Sequence, residues 1–349
     1  MIKLAIAAAL ALMVPAASLS ASERLPEPPR LGIDADDISV IGISSGGYMA
    51  TQLAVAWPER FSGLGVLAAG PWSCAQGTLR RALGQCMTTR LGPPRLDELA
   101  LRHQDYLERD LVGAPRALAG LRVFVWHGDA DDTVSPTLGS ALAEQFRDWL
   151  EDPDRQLHLL ESEGIGHGWP VGHRGEPLPA TTLTDCRGGG GTHLLACDLD
   201  IAGEALGWLH GDLVPPGEDR PRGELMRFDQ AAMQDAKGLD DAGYLFVPEG
   251  CREGGCGLTV ALHGCAMGAS QLDETFVRHN GLNEWAASNR RVVLYPQAET
   301  SLANPQGCWD WWGFAESTWQ LNPLHDTRQG TQVRALMGMI DRLEETPDS

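Results

Sequence analysis

A serine held between two glycines, Gly42-Ile43-Ser44-Ser45-Gly46, follows a β-branched run at 38–41 and precedes a helix-period run at 48–57 that stops at Pro58. Strand, tight turn, helix is the setting in which G-x-S-x-G presents a nucleophile. The glycines have a steric task there, because a side chain on either flank would collide with the packed strand and helix. A serine hydroxyl becomes reactive only when a base within hydrogen-bond reach takes its proton and a carboxylate fixes that base's tautomer. Asp131 fits the carboxylate, just past a strand-like run at 121–126 in His127-Gly128-Asp129-Ala130-Asp131-Asp132-Thr133-Val134; Asp129 is the stronger rival and Asp132 the weaker. His167 fits the base, in the glycine-flanked loop after a short strand at 157–160, with His173 as the nearest rival. His127 ends a strand and reads as a packing residue. A box built on Ser45 would begin at Ile43 and lose its first glycine, so Ser44 is the expected nucleophile.

Acyl transfer also needs two N–H groups aimed at the developing oxyanion, one of them from the residue after the nucleophile. Ser45 would supply that one. The second is expected at Cys265, because Val260-Ala261-Leu262-His263-Gly264-Cys265 has the form of a strand-to-loop oxyanion turn, which His263 would orient. Tryptophan is used unevenly: eleven against seven Phe and four Tyr, with Trp309, Trp311 and Trp312 nearly contiguous. Alternation suits a core, but three together beside an aspartate and a cysteine suggest a pocket wall or an exposed apolar patch, joined by Trp72 and Trp169.

The elements that must position these residues alternate between apolar strand-like runs (38–41, 64–70, 121–126, 157–160, 244–247, 258–262, 292–295) and helical ones (48–57, 136–149, 201–209, through 285, 331–343). That order predicts an α/β fold with a mostly parallel sheet and helices on both faces. Residues 71–118 read as a helical excursion, and 211–224 as a polar, Pro-rich connector resembling a domain linker. Almost nothing mature precedes the nucleophile strand, whereas the oxyanion-type turn follows it. Joining the last helix to 33–40 restores the usual order of an α/β-hydrolase, so a circularly permuted α/β-hydrolase is expected, with two small domains as the alternative.

Residues 1–21 read as a secretory signal: Lys3, an apolar core at 4–14 and a small-residue cleavage zone at 16–21. The remainder, 22–349, is expected to be one catalytic domain without a separate substrate-binding domain. The core is too short for a membrane anchor. With 27 basic and 47 acidic residues, the net charge of −20 argues against nucleic acid as a partner. Eight cysteines behind a signal suggest disulfides, although they allow roughly a hundred pairings. Sequence neighbours suggest Cys74–Cys86, Cys186–Cys197 and Cys251–Cys256, leaving Cys265–Cys308. No C-x-x-C pair points to zinc, and neither metal nor cofactor is expected.

The elbow through Ala50, the Ala69-Gly70-Pro71 turn, Leu262-His263-Gly264-Cys265 and Cys308-Trp309-Asp310-Trp311 together resemble secreted polyhydroxybutyrate depolymerases, nearest to the permuted single-domain type. The resemblance implies a serine esterase cutting poly(3-hydroxybutyrate), a hydrophobic polyester, to short oligomers and 3-hydroxybutyrate; with the signal, an extracellular or periplasmic protein is expected, and a monomer. It assigns Ser44, Asp131 and His167 as nucleophile, acid and base, and Ser45 and Cys265 as oxyanion donors. It also suggests Asn304 and Trp309 as substrate contacts, and Trp311 and Tyr48 are carried with them as candidates. A feruloyl- or acetyl-type plant-wall esterase is the rival, since sister families share the elbow; a catalytically silent binding protein using the Trp patch is the other.

Overall fold

The two halves of the chain meet along one strand pair. In the computed structural model, which describes residues 24–172, 178, 181–217, 222–233, 236–316 and 322–347, strands β1 (Ile38–Ile43), β2 (Gly63–Leu67), β3 (Arg122–Gly128) and β4 (Leu157–Ser162) come from the N-terminal half. The expected signal at 1–21 and His173 lie outside the described residues. Three short strands, β5 (Trp169–Val171), β6 (Thr184–Asp185) and β7 (Leu194–Ala196), form a separate small sheet. The C-terminal half supplies β8 (Gly223–Asp229), β9 (Ala242–Pro248), β10 (Gly257–Leu262) and β11 (Arg291–Tyr295). The large sheet runs β4-β3-β2-β1-β10-β11-β9-β8. It is parallel from β4 to β11 and antiparallel only at β9 and β8.

β1 is therefore central, and its composition fits that place. All six residues are buried: Ile38 and Val40 join one core, Ile41 and Ile43 the other. A strand covered on both faces reads as a continuous apolar run. The first core is closed by the helix Ser45–Ala56 (α1) and the C-terminal helix Thr331–Glu344, the second by the helix Ile201–His210 and Trp285. The chain ends are tied together, Leu31 and Ile33 N–H donating to Leu343 O at 3.1 and 3.2 Å.

The expected connector at 211–224 is not a boundary between separate sheets, because β8 begins at Gly223 and pairs with β9. β8 escapes the apolar-run criterion because it is an edge strand, with Glu224, Arg227 and Asp229 on a largely solvated surface. The excursion at 71–118 holds helices Leu79–Gln85, Leu96–Glu108 and Pro115–Ala119.

Candidate active site

Ser44 leaves β1 at φ 55° and ψ −122°, a conformation that costs a non-glycine residue about 1–3 kcal/mol. Its flanks pin it there. A Cβ on Gly42 would stand 2.1 Å from Gly46 O, and one on Gly46 would stand 2.4 Å from His263 O. Ser44 N–H donates to Leu67 O at 2.9 Å and Ser44 O accepts from Tyr48 N at 3.1 Å, so the turn is fastened to β2 on one side and α1 on the other.

Asp131 follows β3, and each of its oxygens takes two donors. Oδ1 accepts Thr133 and Val134 N–H at 2.9 and 2.8 Å. Oδ2 lies 2.7 Å from His167 Nδ1 and 3.1 Å from His127 Nε2. Burial pushes the Asp131 carboxyl up, but the hydrogen bonds from His127 and His167 outweigh it and hold the group well below the usual carboxylate range. The rival Asp129 is occupied elsewhere, its Oδ1 accepting Gly164 N–H at 2.6 Å, while Asp132 is exposed.

His167 sits after β4, braced from behind by the small sheet. Gly166 N–H donates to Cys186 O at 2.9 Å, Trp169 N–H to His193 O at 2.7 Å, and Cys186–Cys197 staples that region. With Nδ1 committed to Asp131, Nε2 is the nitrogen left to accept a proton. Ser44, Asp131 and His167 all leave the same, carboxyl, edge of the sheet, where α/β folds put their sites.

From the other half, Leu262 at the end of β10 lies level with Gly42, so the His263–Cys265 turn rises beside the elbow. A Cβ on Gly264 would come within 3.3 Å of Ser44 Cβ. Among the described residues nothing accepts from Ser45 N–H or Cys265 N–H. His263 fixes the turn as a neutral ring: burial pushes its pKa down to about 4, Nδ1–H donates to Gly264 O at 2.7 Å, and Nε2 accepts Ala298 N–H at 3.2 Å. Cys265–Cys308 ties the turn to the Trp segment. The other bridges are Cys74–Cys86 and Cys251–Cys256.

Among known proteins, the chain is 30% identical over 329 residues to the polyhydroxybutyrate depolymerase of Talaromyces funiculosus, covering 90% of this chain and 91% of that protein. The chain belongs to the polyhydroxybutyrate depolymerase family. It is also 30% identical over 320 residues to the poly(3-hydroxybutyrate) depolymerase of Delftia acidovorans, but spans only 61% of that protein's length. Solved depolymerases superpose closely. One complexed with R3HB trimer gives a TM-score of 0.81 at 28% identity, and one from Penicillium funiculosum 0.80 at 29%; each match covers 91% of this chain and 98% of the other. No family model matches the chain.

Within this depolymerase fold Trp309 and Trp311 do not form the exposed apolar patch that is one of the two expectations for them, the other being a pocket wall. Trp309 is fully buried, its Nε1–H on His263 O at 3.0 Å and its backbone N–H on Ser45 Oγ at 3.3 Å. Trp311 is buried and stacks on Tyr48 at 4.5 Å, and the Tyr48 hydroxyl donates to Cys86 O at 2.5 Å. Asn304 is buried too, its amide bonded to Glu299 O, Cys308 O and Cys308 N. Trp309 thus joins the His263 turn to the elbow, Asn304 holds the Cys308 backbone, and Trp311 packs on the helix that follows the elbow. Trp72 and Trp169 are core residues as well, their indole N–H groups on Asp326 O and Asn280 O. His127 is the residue sequence reasoning missed: it bonds the acid of the site instead of packing a sheet edge. The His-x-x-x-Asp spacing at 127–131 was the available signal.

Proposed function

We propose that the chain is a secreted serine esterase that hydrolyses poly(3-hydroxybutyrate) to oligomers and 3-hydroxybutyrate through an acyl-enzyme. The observation that carries this is the depolymerase-like site on a depolymerase fold: a serine elbow, an Asp131–His167 pair and a second-half turn at Gly264 against Ser44. Ser44 Oγ attacks the ester carbonyl carbon while His167 Nε2 takes its proton. Ser45 and Cys265 N–H groups receive the oxyanion of the tetrahedral intermediate. The ester C–O bond then breaks, and His167 returns its proton to the departing 3-hydroxy group. Water attacks the acyl-Ser44 by the same route in reverse and releases the acid. Trp309, and Asn304 through the Cys308 backbone, serve by keeping that turn in place, while Trp311 and Tyr48 pack behind the elbow helix.

Four disulfides and the leader-like residues 1–21 support export to the periplasm or medium, and no described helix is long and apolar enough to cross a membrane. The strand order and the tied chain ends support a circular permutation and a single catalytic domain at 22–349. Clearing of a polyhydroxybutyrate suspension by wild type, and its loss in Ser44→Ala, tests the whole reading. Turnover of feruloyl or acetylated-sugar esters with no clearing would replace it by the plant-wall esterase.

A further inference from the structure

The geometry points to His127 as a positioning residue of this site: its Nε2–H holds the Asp131 carboxylate in the orientation in which Oδ2 meets His167. The inference rests on the esterase reading above. Both atoms near His127 Nε2 are acceptors, Asp131 Oδ2 at 3.1 Å and Val134 O at 2.9 Å, so Nε2 carries the proton. Nδ1 is buried with no partner among the described residues, and a Cβ on Gly139 would stand 2.8 Å from it. A polar ring kept in the core with one nitrogen orphaned is a poor choice for packing alone, where an apolar side chain leaves nothing unpaired. What the imidazole adds is the fourth donor to Asp131. With two N–H groups on each oxygen, the carboxylate can neither rotate nor exchange oxygens. The same contact draws charge from Oδ2, which moderates the basicity that Asp131 confers on His167.

Other titratable groups face the pair from the surrounding elements: Tyr48 of α1, His193 with its ring 6.2 Å from that of His167, Glu161 opposite His127 on β4, and Asp129 on the acid loop. All stay in place when His127 alone is changed. The test measures the pH dependence of soluble 3-hydroxybutyrate ester hydrolysis by wild type, His127→Phe and His127→Gln. The Phe variant should lose about tenfold or more in kcat, the worth of one charge-assisted hydrogen bond, with KM nearly unchanged. Its acid limb should move up by about half a unit. The Gln variant, which can present an amide N–H at the same point, should restore the limb. A Phe variant with a wild-type profile, or a Gln variant that behaves like Phe, overturns the inference. Histidine 15N spectra of the wild type need no variant: His127 must be the Nε2–H tautomer, and a protonated Nδ1 with bare Nε2 sinks the idea whether or not the ester is turned over. Absence of wild-type turnover refutes the esterase reading separately.

Discussion

β1 has a serine, a histidine and an aspartate gathered at each of its ends, and only the set at its carboxyl end is the proposed catalytic one. At the amino end, Ser39 Oγ lies 3.0 Å from His210 Nε2, and His210 Nδ1 lies 3.2 Å from Asp37 Oδ1. At the carboxyl end, Ser44 follows the strand and His167 Nδ1 lies 2.7 Å from Asp131 Oδ2. The partners tell the sets apart. Ser39 is wholly buried inside the ladder, within 3.0 Å of Thr259 Oγ1, with no room for a carbonyl. Arg291 NH2 grips both oxygens of Asp37 at 2.5 and 2.6 Å and sits 3.1 Å from His210 Nδ1. Burial depresses the His210 pKa; Asp37 opposes that and the nearby Arg291 charge adds to it. A base that must become a cation in mid-reaction is badly served by a guanidinium beside it. A triad is thus defined less by its three residues than by a strained, accessible serine and a carboxylate whose donors leave the histidine free to charge.

The largest expected effect breaks the symmetry outright. Ser44→Ala should lower kcat for a soluble hydroxybutyrate ester by about 10⁴-fold or more. Ser39→Ala should leave kcat within about twofold and move stability by about 1 kcal/mol, read from urea melts. Comparable losses from both would erase the distinction. Asp131→Asn should cost on the order of 10³–10⁴ in kcat, because the tautomer of His167 is no longer fixed. Asp37→Asn should leave turnover intact and destabilise by about 2 kcal/mol, a figure discounted because Asp37 keeps a solvent-exposed side.

The disulfides sharpen the same contrast. Cys265–Cys308 closes 43 residues at the catalytic edge, so replacing both cysteines by alanine should cost about 4 kcal/mol and also lower kcat. Cys251–Cys256 closes five at the opposite edge, and its removal should cost about 2 kcal/mol with kcat unchanged. The last contrast lies in the pH response. The folded pKa of His263 lies at about 4 and that of His210 is depressed by burial, so the unfolded chain binds more protons below its ordinary value of about 6.5. Stability should be full above that pH and fall as pH drops toward 4, by about 3 kcal/mol from His263. Thermal melts at pH 7 and 4 check it, and a flat profile would mean that His263 is charged in the native turn.

The elbow was legible because its causes are local: two glycines, a β-branched run and a helix start within a dozen residues. The central strands were legible because burial on both faces leaves an unbroken apolar run. β8 was not, since an edge strand alternates charge with apolar residues as a polar connector does. For Trp309 and Trp311 the choice between a pocket wall and an exposed patch was not legible, because what buries them comes from far away in sequence, the His263 carbonyl and the Tyr48 ring. His127 was hidden for the opposite reason. Its partner is four residues away, but only a loop that folds back on the end of its own strand brings the two together.

The β1–β10 register joins Ile38 to Leu258, and that pairing governs how the protein comes into being. More than half the chain must be made or exported before the strand leading to Ser44, already beside β2, finds its second neighbour. Until then β1 is a raw, largely apolar edge, the kind of surface that aggregates or awaits a chaperone. The oxyanion turn arrives with that same late half. A nascent chain or a fragment cut short therefore carries Ser44 but no complete site, so hydrolytic competence is deferred until the C-terminal half has folded against the first.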